Sequence, residues 1–370
     1  MCSKERRPLP ALKLPIIPLP LPPPPAHQSD RTESNGRPPA PAQHISRGNM
    51  RGRSMNLQLL NESYVSNLGY KLPSALPSEN RDPNLLDDLE RGEILGHGSS
   101  GRVYKVVHKR TGSVYALKVI QAKHDPAVRK QIKKEMEISR RHCGHSSFVV
   151  QCYGVFERMG EISLVMELMN DGTLADLLAK HKKIPEHFLS FVSRHVLKGL
   201  KYLHSKKIVH RDIKPSNLLL NRNPQLVKIA DFGVSTELAS TFAQCNSFVG
   251  TCAYFSPERF DPDVNGGKYD CSADIWSLGL TLLECALGYF PCLKEGQKPD
   301  WPTLICNICL DDPPAPPKDA SPEFQNFIRL CLQKDATLRP SAHQLLMHPF
   351  LQIYEDHSCT LSTSLETLSL

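Results

Sequence analysis

The sequence predicts an α+β fold in two halves, a small β-rich half carrying one main helix and a larger, mostly helical half. Three observations carry that expectation. Between Glu93 and Ile120 the chain reads as strand, glycine turn, strand, a turn at Arg110 to Gly112, and a third strand. A helical stretch follows at Ala127 to Arg141. Beyond Gly172, Phe188, Val192, Val196, Leu200 and Leu203 recur at i+4 and i+3 along one helix face.

The remaining elements follow in order. Two strand-like runs, Phe148 to Phe156 and Ile162 to Leu168, complete the smaller half, and the junction falls near Met169 to Gly172. A long apolar helix is predicted over Ser272 to Leu287, with further helices at Glu323 to Gln333 and Ala342 to Met347. The smaller half therefore spans residues 86–170 and the larger 171–353, followed by a short tail, 354–370. Residues 1–85 alternate proline clusters with Ser, Asn, Gly and Arg, a composition that buries too little apolar surface to offset chain entropy, so disorder is expected there.

With 370 residues and 40% hydrophobic content the chain is long enough for a two-lobed enzyme and a tail. Much of the excess in the net charge of +7 sits at the start, in Lys4, Arg6, Arg7, Arg31, Arg37, Arg47, Arg51 and Arg53. That distribution points to an acidic partner for the tail and not to a nucleic-acid-binding domain. Prolines interrupt the stretch from Leu9 to Pro25, so it does not read as a secretory segment, and no apolar run reaches the length of a membrane span. The 12 cysteines are accordingly expected as reduced thiols in the cytosol, and the chain is expected in the cytoplasm and also in the nucleus. Cys306 and Cys309 form a C-x-x-C, but without a second pair or matching histidines they are expected as buried thiols on one helix face, ahead of a zinc or redox site.

The chemistry is concentrated in five segments. Gly96-His97-Gly98-Ser99-Ser100-Gly101 lies between two strands, where glycines let the backbone approach phosphates; a helix after it, as a dinucleotide site needs, is not indicated. Lys118 stands in an apolar strand and needs either a partner or a path for its head to water. Glu135 and Glu137 on the next helix are the candidates, Glu135 being favoured for a Lys118 ion pair that holds the ammonium over the nucleotide phosphates. In His210-Arg211-Asp212-Ile213-Lys214-Pro215-Ser216-Asn217, followed by Asp231-Phe232-Gly233, Asp212 can accept a hydroxyl proton and Lys214 can neutralise a transferring phosphoryl group. Asn217 and Asp231 can hold Mg²⁺ between phosphate oxygens.

With these segments the chain resembles a eukaryotic protein kinase over about Leu89 to Leu351. The resemblance implies the bilobal kinase fold, ATP and Mg²⁺ as cofactors, and an adenine site lined by Leu95, Val103, Ala116 and Leu219. It places Met166 at the gatekeeper position, Glu167 and Met169 in the adenine-binding hinge, and Ser216 beside the nucleotide. It further implies that Glu258 of Ser256-Pro257-Glu258 pairs with Arg339, and that Asp274-Ile275-Trp276-Ser277-Leu278-Gly279 opens the helix anchoring the catalytic loop. Two positions depart from the family's pattern: Ser139 and Cys152 stand where large apolar members of the stack containing His210 and Phe232 are usual, which implies low activity without phosphorylation.

The segment from Asp231 to Glu258 is similar to the mitogen-activated protein kinase kinases, a dual-specificity group, and five residues between Thr241 and Ser247 match its plant branch. That similarity implies activation by an upstream kinase at Thr241 and Ser247, and a downstream MAP kinase as substrate. Arg6-Arg7 followed by Leu12-Lys13-Leu14 resembles the motif by which these enzymes dock their substrate: basic residues for an acidic patch, alternating leucines for an apolar groove. Neither a membrane nor a nucleic acid is an expected partner. A scaffold lacking catalysis would be marked by loss of Lys118, Asp212, Asn217 or Asp231, and all four are present.

Overall fold

The computed structural model describes residues 85–98, 101–121, 136, 145–222, 225–231, 252–260, 270–293 and 301–354. The smaller half is a five-stranded antiparallel sheet of β1 (Leu89–Gly98), β2 (Gly101–His108), β3 (Val114–Gln121), β4 (Cys152–Arg158) and β5 (Glu161–Met166), in the order β1-β2-β3-β5-β4. Alternation along β3 decides which side chains face the cleft: Ile120 joins Met136, Val155, Ile162 and Leu164 on one face, whereas Leu117 and Val119 join Leu85, Leu89, Val106, Tyr115 and Val165 on the other. Lys118, two residues from Ile120, therefore shares the face on which Met136 sits. Met136 is helical and buried, and it is the described residue of the helix predicted at 127–141.

The larger half is built on α1 (Leu174–His181), α2 (Glu186–Ser205), α3 (Ser272–Leu287), α4 (Trp301–Cys309), α5 (Pro322–Cys331), α6 (Ala342–Leu345) and α7 (Pro349–Gln352). All five apolar residues that predicted α2 are buried in its core, and α3 begins and ends where its pattern does. Gly288 closes α3 at φ 86°; a Cβ there would lie 2.3 Å from the Lys182 carbonyl, so glycine is required on two counts.

Two sequence expectations need correction. The run Phe148 to Phe156 is not one strand: β4 starts at Cys152, and Phe148 to Val150 turn to the larger half, where Val150 N–H donates to Ile229 and Ile229 N–H to Phe148, at 2.9 and 3.0 Å. That partner strand, β7 (Gln225–Ile229), pairs with β6 (Leu218–Arg222) as a small antiparallel hairpin that the sequence reading passes over. The second correction is Cys306, which is exposed on α4, with Cys309 half-buried, in place of two buried thiols. Among the described residues no helix is long and apolar enough to cross a membrane, and no group of three or more metal-ligating His, Cys, Asp or Glu side chains occurs.

Candidate active site

The site begins with the sheet register. Gly96 on β1 faces Val103 on β2, which faces Lys118 on β3, so the glycine segment and the lysine lie in one row across three strands. Gly98 pairs with Gly101, and at Gly101 (φ 148°) a Cβ would stand 2.1 Å from the Val119 carbonyl, so a side chain cannot be accommodated where the two strands join. In the next row Ala116 faces Met166, which faces Cys152. Met166 and Leu219 pack on Val150, Met169 and Ala230 in one apolar patch between the lobes. Four of the seven side chains predicted for the adenine lining, gatekeeper and hinge, Ala116, Met166, Met169 and Leu219, thus line up from β3 to that patch. Val103 is half-buried above Lys118, and Leu95 is largely exposed.

Lys118 is buried, and its ammonium meets the Asp231 carboxylate at 2.8 Å. The expected Lys118–Glu135 pair lies outside the described residues, as do Glu137, Ser139 and Phe232. Burial alone would raise the Asp231 carboxyl, but the Lys118 charge and hydrogen bond outweigh it and hold the group below the usual carboxylate range. Asp231 is thereby kept ionised.

Asp212 shows a division of labour between its oxygens. Oδ2 accepts from the Asn217 amide at 2.8 Å and meets the Lys214 ammonium at 2.9 Å, whereas Oδ1 is buried and has no hydrogen-bond partner among the described residues. A buried carboxylate oxygen without a donor is costly unless a ligand supplies one. The Asn217 amide nitrogen is spent on Asp212, on both its carboxylate and its carbonyl, so what Asn217 can offer a cation is its amide oxygen. Ala230 N–H donates to the Asn217 carbonyl at 2.9 Å, which brings Asn217 next to the residue before Asp231. An amide oxygen and an ionised carboxylate are hard donors of the kind Mg²⁺ takes. Ser216 is exposed beside them.

The backbone here is held in costly conformations. Arg211 (φ 74°) and Asp231 (φ 60°) both occupy the left-handed region, which disfavours residues with a Cβ by about 1–2 kcal/mol. Arg211 is held from two sides: Asp274 Oδ1 accepts its N–H at 2.8 Å, and Arg259 donates to its carbonyl at 2.7 Å. The other oxygen of Asp274, fully buried at the start of α3, accepts His210 N–H at 2.9 Å and contacts His204 Nε2 at 2.8 Å. His210 Nδ1 accepts the Asp212 N–H, so its proton is on Nε2, donated to the Ala230 carbonyl at 3.0 Å; burial pushes this histidine down, in keeping with a neutral ring.

The expected Glu258–Arg339 pair is present as a two-pronged contact at 2.7 and 2.8 Å. Two contributors escaped the sequence reading. One is His204, whose proximity to Asp274 comes from the packing of α2 on α3. The other is Lys228 on β7, which forms a buried pair with Glu167; an apolar strand carrying a lysine was a signal in Leu226-Val227-Lys228-Ile229, as it was at Lys118. Thr241, Ser247, Arg6, Arg7, Leu12 and Leu14 lie outside the described residues.

Residues 89–351 match the protein kinase domain family. The chain is 51% identical over 268 residues to mitogen-activated protein kinase kinase 9 of Arabidopsis thaliana, covering 72% of this chain and 84% of that one. It is 50% identical to mitogen-activated protein kinase kinase 7 of the same plant (72% and 85%) and 45% identical to the mitogen-activated protein kinase kinase SIPKK of Nicotiana tabacum (79% and 81%). The chain belongs to the protein kinases and, within them, to the mitogen-activated protein kinase kinases of plants.

Proposed function

We propose that the chain transfers the γ-phosphoryl group of ATP to both Thr and Tyr in the activation loop of a MAP kinase, and is itself switched on by phosphorylation at Thr241 and Ser247. The observation that carries the catalytic part is the Asp212 carboxylate, with one oxygen tied to Lys214 and Asn217 and the other buried without a donor. A bound MgATP would supply the phosphoryl group and the charge neutralisation of its in-line transfer. Asp212 Oδ1 would accept the hydrogen bond of the substrate hydroxyl and then its proton. Lys214, beside it, would face the charge that develops on the transferring group, and Asn217 and Asp231 would orient the metal through oxygen donors.

For regulation, a phosphate on Thr241 or Ser247 adds close to two negative charges that can pair with basic side chains near the catalytic loop. A shift of about 3 kcal/mol would carry a one per cent active population to a majority. Cys152, half-buried between the Met136 cluster and Val149–Leu203, is a small side chain at that junction and supports a low basal state. Arg6, Arg7, Leu12 and Leu14 would hold the MAP kinase, and a MAP kinase kinase kinase would act upstream, in the cytoplasm or nucleus.

The experiment is transfer of phosphate from MgATP to a catalytically dead MAP kinase by the phosphomimetic chain and by the same chain carrying Asp212→Asn. Transfer by the first and a loss of at least about a thousandfold in the second is expected. Equal rates would overturn the assignment of Asp212.

A further inference from the structure

Glu167, which the resemblance to protein kinases places in the adenine-binding hinge, has its side chain engaged elsewhere. Glu167 Oε1 accepts from Lys228 Nζ at 2.6 Å, and the two side chains are 3% and 2% exposed. Glu167 Oε2 accepts the backbone N–H of Gln151 at 3.2 Å, while Glu167 N–H donates to the Gln151 carbonyl at 2.9 Å. Lys228 lies on β7, three residues before Asp231, and its neighbour Ile229 is hydrogen-bonded to Phe148 and Val150. Val150 and Met166, the residues before Gln151 and Glu167, and Ala230, two residues after Lys228, make up the apolar patch between the lobes together with Met169 and Leu219. One ionic link therefore joins the start of the hinge to the strand that delivers the metal-binding carboxylate.

Stability does not explain such a link. Two charges withdrawn from water cost more than a well-packed apolar pair of the same volume, and apolar replacements of buried pairs are often neutral or stabilising. What the ionic pair adds is direction. Its geometry fixes where the Glu167 carboxylate lies, and the second oxygen then fixes Gln151 against the Glu167 backbone. With the Glu167 N–H committed to Gln151, this residue can present only a carbonyl to a purine: an acceptor for the 6-amino group of adenine, and a repulsive neighbour for the 6-oxo group of guanine.

We propose that Lys228 is a positioning residue for nucleotide selectivity, holding Glu167 and Gln151 so that the hinge accepts a 6-amino purine and refuses a 6-oxo one. This rests on the use of ATP in the proposed function and on the purine lying along residues 167–169 with the Glu167 carbonyl at its 6-position. It extends that reading to a residue outside the nucleotide contacts.

The test is direct binding of fluorescent mant-ATP and mant-GTP to the full chain, which needs no protein substrate. Three variants are compared with the parent: Lys228→Arg, which keeps the cation; Glu167→Gln, which keeps the shape and an acceptor for Lys228; and Lys228→Met with Glu167→Gln, which leaves no buried charge unpaired. The preference for mant-ATP over mant-GTP is expected to be kept in Lys228→Arg. It should fall in Glu167→Gln and fall by about tenfold in the double variant, the worth of one well-placed hydrogen bond. Thermal melting reports folding, and Glu167→Gln carries the test should the double variant not fold. An unchanged ATP-to-GTP ratio in either folded variant overturns the proposal, and so does an equal weakening of both nucleotides, which would mark a purely structural role. A parent that binds neither nucleotide would sink the proposed transfer from ATP, a result distinct from both.

Discussion

At the scale of single residues, the two oxygens of the Asp212 carboxylate are divided, one bound internally and one without a donor among the described residues. Asn217's amide nitrogen and the Lys214 ammonium occupy one oxygen of Asp212, and Lys118 keeps Asp231 ionised. Asp231→Asn should keep the fold, since an amide fits the same space, yet lower metal-supported phosphoryl transfer by about a hundredfold or more, the several kcal/mol a metal clamp supplies. Steady-state rates across a Mg²⁺ titration check this, and a parental rate would reassign the metal ligand. These residue types were legible in the sequence because phosphoryl transfer needs a carboxylate, a cation and oxygen donors in a fixed order, and Asp212, Lys214, Asn217 and Asp231 would supply them under the proposed mechanism. The left-handed backbone at Arg211 and Asp231 was not legible. No local preference favours it there, and it exists because Asp274 and Arg259 hold the Arg211 peptide from both sides.

At the scale of elements, the loop that carries Asp212 is held in place by α2 and α3. Asp274 on α3 receives two loop N–H groups, and His204 at the end of α2 secures it. Burial would lower His204, but its hydrogen bond to Asp274, aided by the Cys271 thiol, raises it to about 9 from an ordinary 6.5. Because the folded value lies above the unfolded one, the protonated ring favours the folded state. The contribution, about 3 kcal/mol, is complete below pH 6.5 and is lost as pH rises through about 9. Urea unfolding of the parent between pH 6 and 9.5 should show that fall, and His204→Gln should lack it; parallel pH profiles would remove the charge from the account.

The Glu258–Arg339 pair ties the Ser256-Pro257-Glu258 segment to the chain beyond α5, with the Arg339 side chain fully buried. Glu258→Ala, which strands that charge, should cost about 3–5 kcal/mol in the same unfolding measurement. A loss below about 1 kcal/mol would mean that the pair contributes no more than an exposed one. The long helices were readable because a 3.6-residue period needs many turns to declare itself, and α2 and α3 supply them. The hairpin of β6 and β7 was not, because Leu218–Leu220 and Leu226–Ile229 are short apolar runs that suit a buried strand or a helix segment equally. Phe148–Val150 read as part of β4 for a related reason: periodicity says that a run is extended and does not say which sheet it joins.

At the scale of the whole molecule, two lobes meet along a line of specific bonds: Val150 and Phe148 to Ile229, Lys118 to Asp231, and Glu167 to Lys228. Nothing in composition foretells that line, because each bond joins residues that are apart in sequence. The order of motifs foretells its function all the same. The basic, leucine-bearing start of the chain should act as a separate binding segment. Removing residues 1–14, or changing Leu12 and Leu14 to Ala, should weaken MAP kinase binding by about tenfold while phosphorylation of a generic substrate is unchanged. Titration calorimetry against an inactive MAP kinase checks it, and equal affinities would return the motif to an ordinary solvated tail. Replacing Thr241 and Ser247 by Ala should abolish activation by an upstream kinase, and undiminished activation would move the switch to another site.

The most direct measurement of what the chain does is to incubate the form carrying Thr241→Asp and Ser247→Asp with MgATP and a panel of catalytically dead MAP kinases, then map phosphate on their activation loops by mass spectrometry. Phosphate on both the Thr and the Tyr of at least one MAP kinase, absent with Asp231→Asn, is the expected result; phosphate confined to Ser or Thr, or to proteins other than MAP kinases, would contradict it.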